Sequence, residues 1–342
     1  MIKTALLFLT LLTLHACADN TTNKQTTPQG APMVKTRAEI FGEKPIYKLR
    51  INSEGVAVKA RINGTEVHFG GYNTRALETV NSLITSHDNT MSLMLISEKL
   101  DPKARAKLTL EVYAGGKHFI LNSIYVDLSQ KNITQGSTPA HEYSYDAKKG
   151  LVRDIKGKIE VGKTTVEKFN SYRGEKADIL NVTQSFSLPT PFPRWKFLDS
   201  QDIIDFDYDF YKEETQYEAL KKSPKIQALY ALDKKIRDAL KAKEPEKVID
   251  LFQERFEENA HAYYDTPQEL KQLLFDDFTT TVNDPDNELV EWKGDELYFV
   301  IEENRKLAFL RKIQFYNKKT KIYHGYAIKY RLNKEGEWVI TK

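Results

Sequence analysis

The spacing of apolar residues changes twice along this chain, and those changes restrict the possible fold more than any other feature. From Ile46 the period is two: Tyr47, Leu49 and Ile51 alternate with Lys48 and Arg50, and Val56, Val58, Ala60 and Ile62 alternate with Lys59 and Arg61. A strand turns successive side chains to opposite faces, so this alternation predicts half-buried strands. Asn63-Gly64 then fits the centre of a tight hairpin, where both positions favour positive φ. Further strands are expected at Met91 to Ile96, Arg105 to Tyr113, Lys117 to Asn122, Ile124 to Leu128, Lys158 to Phe169 and Ala177 to Leu188. Many short strands separated by turns predict an antiparallel β-sandwich over residues 37–188.

The first change comes at Pro224. Three helices are expected to begin at Pro224, Pro245 and Pro267, because proline at the first turn gives up an N–H that has no helical partner. Apolar stripes follow each: Ile226, Leu229, Ile236 and Leu240; then Val248, Leu251, Phe252, Phe256 and Tyr263; then Leu270, Leu273, Leu274 and Phe278. Thr266 with Glu269 spells a capping box at the third start. After Asn283 the period returns to two, in Leu297, Phe299 and Ile301, in Leu307, Phe309, Ile313 and Phe315, in Ile322, Tyr326, Ile328 and Leu332, and in Trp338 and Ile340. The fold class is therefore α+β: a sandwich followed, over residues 216–342, by three helices and a curved antiparallel sheet.

Two fold resemblances follow from these patterns. Val58 to Val67, Val80 to Ile84 and His87 to Leu95 resemble the jelly-roll sandwiches appended to many glycosidases, which implies fold first and glycan binding as one alternative. Three helices and a sheet closing on Gly336-Glu337-Trp338-Val339-Ile340 resemble the nuclear-transport-factor-2-like superfamily of cone-shaped domains. That second resemblance implies a hollow between sheet and helices, which in such domains often holds a ligand.

The N-terminus supplies an address. Lys3, the short apolar run Ala5 to Leu14 and the small residue Ala16 are the parts of a secretory signal, and the run is too short to span a bilayer as a stable helix. Leu14-His15-Ala16-Cys17 resembles a bacterial lipoprotein signal, which implies cleavage between Ala16 and Cys17 and acylation of Cys17. Cys17 is the one cysteine in 342 residues, so it has no disulfide partner within the chain. Ala18 stands where the inner-membrane retention signal of enteric lipoproteins has aspartate, which by the same resemblance implies an outer-membrane anchor facing the periplasm. The alternatives are an ordinary cleaved signal with Cys17 a bystander, and an uncleaved anchor. Residues 1–16 are thus read as signal and 17–36, which lack a periodic apolar pattern, as a disordered tether.

Residues 189–215 form a connector. Prolines at 189, 191 and 193 stiffen it, while Phe192, Trp195 and Phe197 carry more apolar area than a free linker would, so docking is expected. Asp205-Phe206-Asp207-Tyr208-Asp209 opens like a calcium loop but has Phe210 where the sharp turn needs glycine and Gln216 where a bidentate glutamate belongs, so no metal is expected. The net charge of +3 is dispersed, without a basic block for nucleic acid. Asn63-Gly64-Thr65, Asn132-Ile133-Thr134 and Asn181-Val182-Thr183 match a glycosylation pattern and are read as turn and strand residues.

No catalytic motif occurs, and no cofactor is expected. The polar residues on the inward-reading faces of the last strands are Arg311 and His324, with Tyr326 and Tyr330 on the strand face of His324, and these four are the candidate ligand-binding residues. His324 is the candidate general acid or base; the plainer alternative is a core histidine bonded to a tyrosine. His261 and His141-Glu142 are weaker candidates. The sequence thus favours a non-enzymatic, membrane-anchored periplasmic lipoprotein that binds an envelope protein partner. In layout it resembles exported immunity or accessory lipoproteins of contact-dependent secretion systems, type VI included. The alternatives are a small-ligand carrier or enzyme using the C-terminal hollow, and glycan binding by the sandwich.

Overall fold

The computed structural model describes residues 44–114, 116–130, 132–134, 143–146, 151–154, 160–172, 175–188, 190–204, 214–292 and 299–342. The chain divides into a unit of residues 1–36 and one of residues 37–342, and every described residue belongs to the second. The signal, Cys17, the tether, His141-Glu142 and Asp205 to Asp209 lie outside the described residues.

The first period-two region builds twelve strands: β1 (Ile46–Glu54), β2 (Ala57–Ile62), β3 (Thr65–Gly70), β4 (Arg75–Thr79), β5 (Asn89–Ser97), β6 (Arg105–Ala114), β7 (Lys117–Asp127), β8 (Asn132–Thr134), β9 (Tyr143–Asp146), β10 (Leu151–Asp154), β11 (Glu160–Tyr172) and β12 (Glu175–Ser187). Two five-stranded sheets, β4-β1-β6-β7-β8 and β11-β12-β5-β2-β3, pair antiparallel throughout, and β9 with β10 makes a separate two-stranded ladder. One core joins them: Tyr47, Leu49 and Ile51 and the alternate residues of β6 meet Val58, Ala60, Leu93, Leu95 and Val182 from the other sheet. Asn122 Nδ2 donates to Gln184 Oε1 across that core at 2.8 Å, so both inward-facing amides are satisfied. The arrangement fits the expected sandwich.

Asn63 and Gly64 have φ of 52° and 70°, as the hairpin requires. Buried Asn63 also ties the hairpin down: its Nδ2 donates to Leu83 O at 2.7 Å and to Asn89 Oδ1 at 3.1 Å, and its Oδ1 accepts from Thr90 N at 2.7 Å. Where alternation suggests two strands split near Ser123, β7 is continuous, and the register shift opposite Leu110/Glu111 absorbs one extra residue as a bulge. Met94 and Ile179, on the outer face of the second sheet, are buried with Ile96, Ala177 and Phe169, so β5 is covered on both faces rather than half-exposed.

The connector docks by its aromatic residues. Phe192, Trp195 and Phe197 are buried in the sandwich core, and Trp195 Nε1 donates to Ile84 O at 2.8 Å. A few residues on, Ile203 and Ile204 belong to a second core.

That second core is built from α1 (Glu214–Lys221), α2 (Pro224–Lys241), α3 (Gln253–Tyr263) and α4 (Pro267–Asn283), followed by β13 (Asn287–Leu289), β14 (Phe299–Ile301), β15 (Ala308–Leu310), β16 (Ile313–Asn317), β17 (Tyr323–Tyr326), β18 (Lys329–Leu332) and β19 (Trp338–Ile340). Pro224 and Pro267 open α2 and α4, and the Thr266–Glu269 capping box is complete, with Thr266 Oγ1 accepting from Glu269 N and Glu269 Oε2 accepting from Thr266 N. Pro245, expected to open a helix, begins only a 3-10 turn; a second such turn spans Ile249–Phe252, and the α-helix starts at Gln253. Helix α1 has no counterpart among the expected elements.

The last seven strands form two antiparallel ladders, β13-β16-β17 and β14-β15-β18-β19. Residues 308–317 and 323–332 each pass from one ladder to the other, bending at 311–312 and 327–328, where the pairing slips by one residue. The slip moves the buried face: Ala308 and Leu310 point into the second core instead of Phe309, while Leu307 is buried in the first.

Candidate functional site

Helix α4 lies along β17. Asp277 and Thr281 are one helical turn apart on the same face, and His324 and Tyr326 are alternate residues on one strand face. His324 Nε2 is 3.7 Å from Asp277 Oδ2, an ion-pair distance too long for a hydrogen bond, and the Tyr326 hydroxyl is 2.9 Å from Thr281 Oγ1. Tyr326 sits in an aromatic box, edge-on to Phe278 at 4.7 Å, to His324 at 4.9 Å and to Phe315 at 6.4 Å. Burial pushes its hydroxyl pKa up, with Thr281 opposing and the Asp277 charge adding to the rise. Asp277 is held below the ordinary carboxylate range, first by His324; burial opposes this and the Tyr326 hydroxyl contributes.

Helix and strand advance together here, because four helical residues rise about 6 Å and two strand residues about 6.6 Å. One turn before Asp277 on α4 stands Leu273, and two residues before His324, just ahead of β17, stands Ile322. Both are exposed, at 55% and 62%, and Tyr323, turned to the other strand face against Tyr316 at 5.0 Å, is 57% exposed. The result is a strip with an open apolar end and, behind it, a half-exposed His–Asp pair on a rigid aromatic floor. Among the described residues the buried His324 Nε2 has no hydrogen-bond partner. Such a strip offers a partner apolar contact beside a half-exposed imidazole ring.

The structure brings together two of the four residues expected to share a hollow. His324 and Tyr326 are neighbours, but Tyr330 lies in the other ladder, fully buried, and donates to Asp233 Oδ1 at 3.2 Å. Burial raises its pKa strongly, and the Asp233 charge adds to this. Arg311 lies at the bend with its guanidinium 4.4 Å from the centre of the Trp292 ring. Asp277 on α4 faces His324. The bend separates these residues, turning one stretch towards α4 and the next towards α2. His261 is an exposed residue in the last turn of α3.

Sequence reasoning misses the group that anchors Tyr330. Arg237 Nε donates to Asp233 Oδ2 at 2.6 Å and its Nη2 to Arg311 O at 2.8 Å, fastening α2 to the bend. The available signal is an Asp–Arg pair four residues apart inside an otherwise apolar stripe. A second His–carboxylate cluster, also missed, lies on the outer face of the sandwich. Glu111, its side chain 2% exposed, accepts Arg50 Nε at 2.6 Å and Nη2 at 3.0 Å and the Tyr113 hydroxyl at 2.9 Å, with His118 Nε2 3.1 Å away. The His118 and Tyr113 rings stack at 4.5 Å.

Among the described residues no group of three or more His, Cys, Asp or Glu is placed to hold a metal ion, and no helix is long and apolar enough to cross a membrane. No protein-family model, curated protein or solved structure matches the chain.

Proposed function

We propose that this chain is a lipoprotein anchored through Cys17 to the outer membrane, whose folded part is a non-enzymatic binding module for a protein partner in the envelope. The observation that carries the binding reading is the α4–β17 strip: Leu273 on α4 and Ile322 just ahead of β17 are large apolar side chains held in water beside packed elements, with exposed Tyr323 on the neighbouring strand face. Rigid presentation lowers the entropy that binding must overcome. The anchor rests on Lys3, Ala5 to Leu14, Ala16 and Cys17, and on the chemistry of the thiol, the side chain suited to attachment of an acyl-bearing group. What supports a cone-like C-terminal region is the pair of bent stretches, 308–317 and 323–332, wrapped against α2 and α4. An immunity or accessory role beside a contact-dependent secretion system is the form of partner binding that this layout suits.

The test has two arms. Cys17→Ser should release the protein from the outer-membrane fraction and abolish an acyl mass on the N-terminal peptide. Ile322→Asp and Leu273→Asp should abolish co-purification of one specific protein, identified by mass spectrometry and by the product of a neighbouring gene, while leaving the far-ultraviolet spectrum unchanged. A partner retained by both strip variants sinks the strip; unchanged fractionation of Cys17→Ser sinks the anchor.

A further inference from the structure

The longest open sheet edge of the two five-stranded sheets belongs to β11. It is thirteen residues long, against six, five and three for the edges β3, β4 and β8, and among the described residues it pairs on one side only, with β12. An open edge presents a row of backbone N–H and C=O groups that pair readily with another strand. Gly162, Lys163, Val166, Glu167, Lys168 and Asn170 are exposed, and Val166, at 45%, is the large apolar residue among them.

Pairing with β12 is regular only from Thr164, opposite Gln184, to Phe169, opposite Ile179; irregularities interrupt the register on both sides. Bulges of this kind end a pairing surface, so a strand added here meets a short, bounded template that cannot propagate into a fibre. Two copies of β11 joined by a two-fold axis must run antiparallel with the same faces upward, so the axis passes through a residue and not between two. Each choice has a consequence. Centring on Glu167 or Lys168 sets like charges directly opposite, and centring on Thr164 or Thr165 pulls the irregular stretch around Lys163 into the ladder. Centring on Val166 sets the two exposed valines against each other, pairs Thr165 with Glu167 and Thr164 with Lys168 of the second copy, and keeps all five residues inside the regular stretch.

We propose that β11 is a homodimerisation edge, on which a second copy of this chain pairs antiparallel about Val166. The interface is small, so the dimer is weak and concentration-dependent. It uses a surface separate from the α4–β17 strip and leaves that strip free for another partner.

The experiment uses the full chain with Cys17→Ser, so that an introduced cysteine is the one thiol. Directly opposed residues of antiparallel strands have Cα atoms about 4.5–5.5 Å apart, within disulfide range. Val166→Cys should form a disulfide-linked dimer under mild oxidation at least tenfold faster than Thr165→Cys or Lys168→Cys. By light scattering the parent should shift from monomer to dimer as concentration rises, and Val166→Lys, which opposes two like charges, should stay monomeric with an unchanged melting temperature. A parent that is monomeric up to millimolar concentration overturns the proposal. So does cross-linking at 165 or 168 as fast as at 166, or a dimer indifferent to Val166→Lys.

Discussion

Glu111 and Asp277 each sit beside a histidine and a tyrosine, yet one cluster is closed and the other open. At Glu111 a bidentate arginine, a phenol and an imidazole converge on one carboxylate until almost none of it meets water. At Asp277 no arginine enters among the described residues, the histidine stands off at 3.7 Å, and both side chains keep contact with solvent, 45% exposed for Asp277 and 38% for His324. The same residue types therefore lock a sheet face in one place and leave a contact unfulfilled in the other. The decisive difference is the planar, doubly donating guanidinium of Arg50, which fixes the geometry of its acceptor as a single imidazole cannot.

The largest expected effect is on stability at the closed cluster. Glu111→Ala removes three partners at once and should cost about 1–3 kcal/mol in urea unfolding at pH 7, because charge-assisted bonds to a water-excluded carboxylate are lost. Asp277→Ala should cost less than about 1 kcal/mol, as half-exposed pairs generally do. Equal losses would break the comparison and make Asp277 a structural residue like Glu111.

Much of this architecture is legible in the amino-acid sequence. Period-two runs locate β1, β2, β6 and β12, a continuous apolar run locates β5, and the Thr266–Glu269 box locates the start of α4, because those signals are local. The bend at 311–312 is not legible there: it depends on a one-residue slip in the pairing of 308–317 with 323–332 that no residue type marks, and that slip exchanges Phe309 for Leu310 on the buried face and separates Arg311 and Tyr330 from His324. Pro245 misleads for a related reason, since proline fits a 3-10 turn as well as the first turn of an α-helix. The Glu111 cluster is hidden because its members come from three strands, and alternation marks all of them only as outward-facing.

Acid titration sharpens the contrast. Burial works to raise the pKa of Glu111, but the hydrogen bonds from Arg50 and Tyr113, with the Arg50 and His118 charges, outweigh it and leave the group below its ordinary value of 4.5; Asp277 likewise lies below 3.8. Because both folded values are depressed, the unfolded chain binds protons first, so these contributions are complete above about pH 4.5 and are lost as pH falls through the folded values. Glu111→Gln should flatten the acid limb of the stability curve, by at most about 1.4 kcal/mol per pH unit. Asp277→Asn should flatten it less, because water screens that pair. A steeper limb in the Glu111→Gln protein would contradict the assigned hydrogen bonding.

The smallest expected stability effect belongs to His324→Phe, which also tests the open cluster most directly. A phenyl ring keeps the edge-on packing against Tyr326, which itself rests on Phe278, and it removes the imidazole Nε2 that faces Asp277. The contact forfeited is long and half-exposed, so the melting temperature should move by less than about 3 °C. Binding should respond differently. If the half-exposed imidazole is part of the docking surface, affinity for the protein captured through Ile322 and Leu273 should fall about tenfold, the scale of one lost polar contact at an interface. Asp277→Asn, which leaves the imidazole in place, should lower affinity by less. A His324→Phe protein that melts many degrees lower and still binds normally would assign His324 to the packing of the bend, with the apolar residues of the strip carrying recognition by themselves.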